Sequence, residues 1–343
     1  MLQEIKALAA QWLGPVYELL VHLAYALFPF TGPHVLNGLF ILSAVILALW
    51  FYVAREAAPG TRSWRGFWSF LVPRQVFLHP SASVDYRFYL LNAVFLSYVK
   101  LSMRIAGLVG LLQVSDVVRR ACARVVEPSA DAPGLGAQLL YTLALVLALD
   151  FAKFLTHYLQ HRVPVLWEFH KVHHSAEVLT PITNFRLHPV DVALEQVLTA
   201  LAGGLVVGVF ASLFPSGVAE LTVMNIGVIY FVYFLAANLR HSHIPLHFGW
   251  RLSHVLSSPY MHQLHHSSEV RHWDRNYALI FSFWDRLFGC LYVPRGREEF
   301  RLGLSGPPTA DFDAAWKLYV MPFRNAWRTL VGRGGARRPR ESL

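Results

Sequence analysis

The chain carries a set of histidines whose spacing suits metal coordination. Eight of its seventeen histidines fall into short groups in which neighbours are one, three or four residues apart, and a ninth, His241, lies between two of these groups. Neutral imidazole is the commonest protein ligand for a borderline transition metal, and side chains three or four positions apart on a helix lie on one face. The nine are His157, His161, His170, His173, His174, His241, His262, His265 and His266.

The number of these histidines predicts two metal ions. The motif HxxHH occurs twice, at 170–174 and at 262–266, and HxxxH occurs at 157–161. Within each HxxHH motif the first histidine shares a helix face with the other two, whereas the adjacent pair diverges enough to reach different ions. A structural zinc ion takes four ligands. Nine imidazoles therefore suit two ions with about four or five nitrogens each and a position left open for chemistry.

Other histidines compete for a place in this set or could extend it. His241 directly follows an apolar stretch and is the expected ligand from it, but His243 and His247 lie close enough in sequence to take its role. His188, in NFRLHP, is a candidate tenth ligand, an outer hydrogen-bonding residue or the first residue of a helix. Isolated histidines are usually ordinary core or surface groups. Those interpreted in this way are His22, His34 and His79.

Polar side chains near the motifs are candidates to accept hydrogen bonds from the imidazole nitrogens that do not bind metal. A carboxylate that accepts the second N–H of a ligating imidazole fixes its tautomer and orientation. Asp150 lies seven residues before His157, two helical turns along one face, within an apolar stretch where an acid is a functional candidate. Its alternative partner is Lys153. Asp274 and Asn276 follow the last motif and offer similar outer contacts.

The composition indicates a membrane protein. Of the 343 residues, 55% are hydrophobic and 15% are charged, and the mean hydropathy is +0.39, whereas soluble domains are about a quarter charged. The net charge of +9 fits basic loops that face the cytoplasm and its anionic lipids. Nucleic acid is not an expected partner, because the lysines and arginines are scattered over loops and the C-terminal end.

Five apolar stretches predict an all-α, polytopic membrane helical bundle. Each is about long enough to cross ~30 Å of hydrocarbon, although two charged residues lie within the second stretch. Gly204 and Gly208 predict close helix packing in the fourth. Because the histidine motifs must converge, the third and fifth stretches are predicted to end on one face, and basic segments place that face in the cytoplasm. The stretches are 35–54, 86–112, 139–155, 192–214 and 218–239.

The order of these features divides the chain into three regions. Residues 1–130 hold N-terminal membrane helices and a loop, beginning with an interfacial helix. Residues 131–300 contain the histidine motifs and form the predicted catalytic domain, and residues 301–343 form a basic tail that is predicted to be mobile from Lys317. The clearest predicted loop is 113–137, which contains several prolines and glycines.

These motifs resemble the fatty acid hydroxylase/sterol desaturase superfamily of membrane di-iron oxidases. HYLQHRVPVLWEFHKVHHS is similar to the first two histidine boxes of that family, and NFRLHPVD is similar to its HP-acid element. RHSHIPL resembles the isolated histidine, with His243 where asparagine is common, and SPYMHQLHHSSEVRHWDRNYALIFSFWDRLFG resembles the third box and closing signature. The resemblance covers residues 139–294, just under half of the chain.

The resemblance implies oxygen chemistry on an inert C–H bond. It implies that the nine histidines bind two iron ions, that O₂ is the co-substrate, and that a lipid such as a sterol, hopanoid or fatty-acyl lipid is hydroxylated or desaturated. Hydroxylation is the preferred expectation. The chain has no flavin or nicotinamide fingerprint, so a separate electron donor of the cytochrome b5 or ferredoxin type is expected. The expected location is the bacterial inner membrane, with the endoplasmic reticulum as the alternative.

Two other functions are compatible with a histidine-rich membrane protein. A di-zinc hydrolase would use its metals to activate water, but the carboxylate ligands usual for such sites are absent from the motifs. A metal transporter or sensor would need polar sites along the spans, whereas the histidines gather at one end of them. Metal analysis combined with assays of O₂ uptake, hydrolysis and metal flux separates the three functions.

Overall fold

The computed structural model describes residues 36–58, 60–94, 97–305 and 311–332. This part of the chain is mostly helical, with one small β-hairpin, which confirms the predicted all-α membrane bundle. The interfacial helix expected at the N-terminus lies outside the described residues. The helices are α1 Gly38–Phe51, α2 Trp64–Leu71, α3 Arg74–Phe77, α4 Pro80–Val94, α5 Ser97–Cys122, α6 Leu135–Arg162, α7 Pro164–His174, α8 Pro189–Leu213, α9 Val228–Ala237, α10 Pro259–His265, α11 Phe283–Leu287 and α12 Lys317–Leu330; the strands are β1 Thr222–Val223 and β2 Ile226–Gly227.

Three helices of the described chain are long and apolar enough to cross a membrane. They are Gly38–Glu56, which is α1 with its π-helical last turn, Leu135–Arg162, which is α6, and Pro189–Leu213, which is α8. The first, third and fourth predicted stretches are thereby confirmed, and the protein is an integral membrane protein. The 28 residues of α6 extend about 42 Å, further than the ~30 Å of the hydrocarbon core. One end of α6 therefore reaches beyond the hydrocarbon.

Only three of the five predicted spans are candidate membrane-spanning helices in the described chain, and the fifth stretch is not one continuous helix. The region predicted as the second span forms α4 and α5, and α5 is not among the three candidate spans found in the described residues. It also continues to Cys122, so the following loop is shorter than the predicted 113–137. The fifth stretch contains a β-hairpin followed by α9, whose ten residues extend only about 15 Å. Met224 and Asn225 have φ angles of 52° and 60°, the left-handed conformation that a tight hairpin turn requires.

The glycine motif in α8 lets α5 pack closely against it. A β-carbon added at Gly204 would lie 2.7 Å from the β-carbon of Val114, and one at Gly208 would lie 2.6 Å from the carbonyl oxygen of Ser115. Only glycine permits such an approach of two helix backbones. The predicted use of these glycines in helix packing is therefore confirmed.

The ends of the three spans that carry or approach the histidines lie on one face of the bundle. Pro164 begins α7 immediately after α6, so the second motif follows the first at the same end. Tyr52, at the end of the α1 span, belongs to a hydrophobic cluster with Leu239 and Ile244, which flank His241. At the opposite end, the backbone N–H of residue 221 donates to Thr142 Oγ1 near the start of α6, over 2.9 Å.

The described part of the predicted tail is an ordered helix. Lys317–Leu330 forms α12, which packs on α7. Leu318 is fully buried in a cluster with Phe88 and Val172. The prediction of mobility from Lys317 is therefore wrong for this helix. The arginine-rich end of the chain lies outside the described residues.

Candidate metal centre

The nine predicted ligands converge into two clusters. Helices α6, α7 and α10 and the loop after α9 bring their imidazoles together at the extended end of α6. Within each cluster the candidate ligand nitrogens all lie within 4.8 Å of one another. The first cluster consists of His157, His161, His170, His174 and His265, and the second consists of His173, His241, His262 and His266.

In the second cluster the ring nitrogens already have the spacing of ligands around one ion. Nε2 of His241 lies 3.2 Å from Nε2 of His173 and 3.1 Å from Nε2 of His262, and Nε2 of His262 lies 3.2 Å from Nε2 of His266. Two nitrogens bound at about 2.0–2.1 Å to one ion are separated by about 3.0–3.4 Å at tetrahedral or right angles. The donor set of the second cluster therefore fits one metal ion.

In the first cluster, buried ring nitrogens face inward without protein partners. Nε2 of His157, of His174 and of His265 is buried and forms no hydrogen bond within the described part of the chain. The opposite nitrogens of two of these rings are fixed: Nδ1–H of His157 donates to the carbonyl of Tyr277 over 2.8 Å, and that of His265 donates to the carbonyl of Arg275 over 2.7 Å. This tautomer leaves each Nε2 lone pair free to bind a metal.

The two clusters adjoin because adjacent histidines diverge as predicted. His173 and His174 go to different clusters, and so do His265 and His266. The ring of His174 lies 4.5 Å from that of His266 and 4.7 Å from that of His265, centroid to centroid. The arrangement can hold two ions side by side, each with imidazole ligands.

The matched family agrees with this geometry. The fatty acid hydroxylase family model matches residues 142–290, a segment that contains all nine histidines. This matched segment, residues 142–290, is called the hydroxylase domain below. The superfamily resemblance seen in the sequence is thereby confirmed.

Several characterised proteins are similar to the hydroxylase domain. Ornithine lipid hydroxylase OlsE of Rhizobium tropici is 27% identical over 197 residues, which is 56% of this chain and 53% of that protein. Alkylglycerol monooxygenase of Danio rerio is 27% identical over 182 residues, 53% of this chain and 36% of that protein. A cholesterol 25-hydroxylase-like protein of Danio rerio is 30% identical over 176 residues, 49% of this chain and 62% of that protein. The chain thus spans about a third to two thirds of these relatives, and no solved structure matches it.

Burial favours the neutral form of the cluster histidines, because it lowers the pKa of their imidazoles. Burial together with the nearby Arg240 guanidinium lowers the pKa of His241 to about 3. Burial also lowers the pKa of five other cluster histidines well below the usual value. A ligating histidine must be deprotonated, so metal binding at neutral pH displaces no proton from these rings. The five are His173, His174, His262, His265 and His266.

Two carboxylates lie behind the ligands of the hydroxylase domain. Asp191 Oδ2, in the first turn of α8, lies 3.7 Å from Nδ1 of His170. Asp274 Oδ1 lies 3.9 Å from Nδ1 of His161 and accepts a hydrogen bond from the hydroxyl of Tyr277 over 3.1 Å. Asp274 thus lies near a cluster imidazole, and its outer role stays a prediction. Asp191 was not among the predicted site residues. It is the acidic residue that ends the NFRLHPVD segment, so the resemblance of that segment to the HP-acid element could have identified it.

Asp150 does not support an imidazole as predicted. Its carboxylate accepts hydrogen bonds from the backbone N–H groups of Ile280 and Phe281, over 3.0 and 3.1 Å, and from the indole N–H of Trp284. Its alternative partner Lys153 pairs instead with a glutamate on α8. Asp150 therefore anchors the loop that follows the third histidine motif, and acts on the site through backbone position.

Asn276 also acts through the backbone. Its side-chain amide donates to the carbonyl of Met261 over 3.3 Å, next to His262, and its side-chain oxygen accepts from the backbone N–H of Tyr292 over 2.7 Å. It thus ties α10 to the closing segment of the hydroxylase domain. The predicted contact between Asn276 and an imidazole is not what the structure shows.

The structure resolves the open choices among the other histidines. His188 begins α8: its Nδ1 accepts from the backbone N–H of Val190 over 3.1 Å, and its Nε2–H donates to the carbonyl of Tyr319. Both ring nitrogens are used, so His188 is not a tenth ligand. His243 Nε2–H donates to the carbonyl of Phe70, and His247 Nδ1 accepts from a backbone N–H. His241 is the histidine of this loop that enters a cluster.

A buried ion pair behind α7 was missed in the sequence. Nη1 of Arg186 lies 2.7 Å from Oδ1 of Asp85, and both side chains are at most 1% exposed. Nε–H of Arg186 also donates to the carbonyl of Val172, on the helix that carries three ligands, over 2.9 Å. Thr183 donates to Asp85 over 2.6 Å. This network fixes α7 against α4.

The structural role of Gln263, which lies between two histidines of the third motif, was also missed in the sequence. The side-chain amide of Gln263 donates to the carbonyls of Leu239 and Ile244, each over 2.8 Å. These carbonyls lie on both sides of His241, so Gln263 holds the loop that delivers the fourth ligand of the second cluster. Sequence spacing shows only that Gln263 lies between two candidate ligands, and it does not predict these hydrogen bonds.

We expect Asp191→Ala to weaken metal binding by about 10–100-fold, because it removes the carboxylate behind His170. The measurement is titration of the metal-free protein in detergent with Fe²⁺ or with Co²⁺, which has a visible spectrum. Asp116→Ala is the control, since Asp116 pairs with Arg119 and Arg120 on an exposed face of α5. Equal affinities in the Asp191→Ala variant and the wild type would rule out this supporting role.

Proposed function

We propose that the protein is a lipid monooxygenase that uses two iron ions, O₂ and an external reductant to hydroxylate a C–H bond. The balanced reaction consumes O₂, two electrons and two protons, and yields one C–OH group and water. The observation that carries the proposal is the pair of adjoining imidazole clusters at the end of a membrane span. Bound there, iron supplies the redox chemistry that activates O₂, and the residues of the chain bind it and exclude water.

The donor set supports a redox centre over a hydrolytic one. Within the described residues both clusters consist of imidazoles alone, and the nearest carboxylates, Asp191 and Asp274, face the Nδ1 sides of two ligands. A di-zinc hydrolase would call for carboxylate ligands among the donors. The names of similar proteins, a lipid hydroxylase and an alkylglycerol monooxygenase, support hydroxylation in preference to desaturation.

We further propose that the histidine face is cytoplasmic, in a bacterial inner membrane. The segment after α1 lies on that face and carries several arginines, among them Arg55, Arg62 and Arg74. The segments at the opposite end, 123–134 and 214–221, hold as many acids as bases or more. Short basic loops remain on the cytoplasmic side, which supports this orientation and gives a soluble electron donor access.

A cationic surface near the first cluster supports an acidic donor of the cytochrome b5 or ferredoxin type. The carbonyl of Arg275 accepts from His265, while its guanidinium donates to the carbonyl of Gly289 at the surface. Arg162 and Arg286 are exposed nearby. Complementary charge orients a partner and speeds encounter, so we propose that the donor docks above His265.

The decisive test compares lipids from cells with and without the gene, and then assays the purified protein. We expect bound iron, reductant-dependent O₂ uptake, and a lipid that gains one oxygen atom by mass spectrometry. A lipid that loses two hydrogens instead would replace hydroxylation by desaturation. Zinc with ester or amide hydrolysis, or metal flux without turnover, would replace the oxidase altogether.

A further inference from the structure

An apolar cavity lies beside the second cluster. Its volume is about 290 Å³, and it is enclosed by one face of α9, the loop after α9 and the segments 256–259 and 280–281. The surface it presents is almost entirely carbon. Among its lining residues are Val228, Val232, Ala236, Phe248, Pro259 and Phe281.

The few polar side chains at the cavity are engaged elsewhere. Arg240 donates from Nη1 to Ser257 Oγ over 3.2 Å and to the carbonyl of Leu279 over 2.9 Å, and from Nη2 to the carbonyl of Ala278. Its guanidinium lies 5.7 Å from the centre of the Tyr233 ring. A polar headgroup placed in this cavity would lose its water and gain few hydrogen bonds, whereas hydrocarbon would lose nothing by entering.

The cavity lies between the exposed side of α9 and residues that adjoin the second cluster in sequence. At its inner end, Arg240 directly precedes His241, and Pro259 begins the helix that carries His262. At its outer end Val232 is 61% exposed on α9, an apolar helix too short to span but long enough to lie within the bilayer. A molecule entering past Val232 would therefore come from the membrane and extend toward the second cluster.

We propose that this cavity binds one unbranched alkyl chain of the substrate lipid and excludes a fused sterol ring system. This proposal rests on the proposed function, because the bound lipid is a substrate only if the protein is a lipid monooxygenase. The volume lies at the lower limit of pockets for drug-sized ligands, about 300–1,000 Å³. A flexible chain adapts to the shape of a cavity by rotation about its C–C bonds, whereas a rigid four-ring skeleton has a fixed shape. The headgroup of the lipid remains outside the cavity.

The test uses photo-crosslinking in lipid nanodiscs of the full-length protein. One probe is a long-chain fatty acid with a diazirine on its chain, and the other is a diazirine-bearing cholesterol. We expect the fatty acid probe to label residues 228–240 and 256–259, as mapped by mass spectrometry. Val232→Phe narrows the cavity and should reduce that labelling roughly tenfold or more.

A matched control comes from a second apolar cavity. Val197 lines a cavity of about 270 Å³ between α5 and α8 and is 56% exposed, so Val197→Phe repeats the substitution away from the histidines. It should leave labelling of residues 228–240 unchanged. Equal loss in both variants, no loss in Val232→Phe, or labelling of residues 228–240 by the cholesterol probe would overturn the proposal.

The labelling outcome separates this proposal from the proposed function. Crosslinking requires neither metal nor turnover. Specific labelling by the fatty acid probe in a protein that hydroxylates no lipid would leave the chain-binding cavity standing and contradict the monooxygenase. Hydroxylation by a protein that fails the labelling pattern would contradict only the cavity assignment.

Discussion

His265→Ala and His173→Ala should each abolish the proposed lipid hydroxylation, by at least roughly 100-fold, because each removes one proposed metal ligand from a cluster. His265 belongs to the first cluster and His173 to the second. Each variant should therefore lose about half of the bound iron while the other ion remains. The measurements are iron per chain after purification and reductant-dependent O₂ uptake with lipid analysis.

Two substitutions outside the clusters serve as controls. His243→Asn changes the histidine two residues after His241, whose ring bonds to the carbonyl of Phe70. His79→Ala changes a ring that accepts a hydrogen bond from the backbone N–H of Ser81. Both variants should keep iron and activity. Full activity in His265→Ala and His173→Ala, or loss of iron in both controls, would mean that the clusters are not the metal centre.

Local spacing was sufficient to predict that the eight histidines of the three motifs converge, but it left His241 open against His243 and His247. The rise and turn of a helix place residues 157 and 161 on one face, and they separate His173 from His174. The need to share metals then requires that the motifs meet, and the structure brings all nine rings together. The apolar lengths of α1, α6 and α8 were equally clear, because a spanning helix must be continuous and uncharged.

Long-range partners could not be predicted in this way. Asp150 lies on α6 at the correct spacing to support His157, yet it binds the backbone of Ile280 and Phe281, about 130 residues away in sequence. Sequence spacing constrains only which residues are neighbours on one helix. A loop that folds back onto the helix can donate hydrogen bonds to the same carboxylate, and spacing does not predict this. The pairing of Arg186 with Asp85 could not be predicted for the same reason, because the two residues are far apart in sequence.

The failed span at 218–239 has a different cause. Hydropathy averages over a window and does not register a turn of two residues. Met224 and Asn225 adopt positive φ angles and reverse the chain, which leaves only α9 as a helix. This shortening places α9 beside the second cluster and creates the cavity there, so the misjudged segment is the one that bounds the candidate lipid site.

Several side chains of the hydroxylase domain position backbone carbonyls that accept hydrogen bonds from the cluster histidines. The carbonyls of Arg275 and Tyr277 hold His265 and His157. Asp285 accepts from the backbone N–H groups of Tyr277 and Ala278, over 2.7 and 3.1 Å. Carboxylates near the site thus act mainly on the loop, and the loop orients the imidazoles. Residues far from any metal can therefore control the centre.

Arg186→Met should destabilise the folded protein by about 3–5 kcal/mol, because it leaves the Asp85 carboxylate buried without its cation. The double variant Arg186→Met with Asp85→Leu should recover most of that loss, since neither charge then remains buried. The exposed pair Arg324 and Asp311, with nitrogen and oxygen 2.6 Å apart, is the control. Arg324→Met should cost less than about 1 kcal/mol.

The free energy of unfolding in detergent, measured by denaturant titration, distinguishes these cases. Arg186 also donates to the carbonyl of Val172 on the histidine-bearing helix α7, so Arg186→Met should lose iron at a lower denaturant concentration than the wild type. Equal stabilities of Arg186→Met and Arg324→Met would show that the buried pair does not anchor α7. If the double variant regains stability but not iron, the hydrogen bond to Val172, and not the charge pair, positions the ligands.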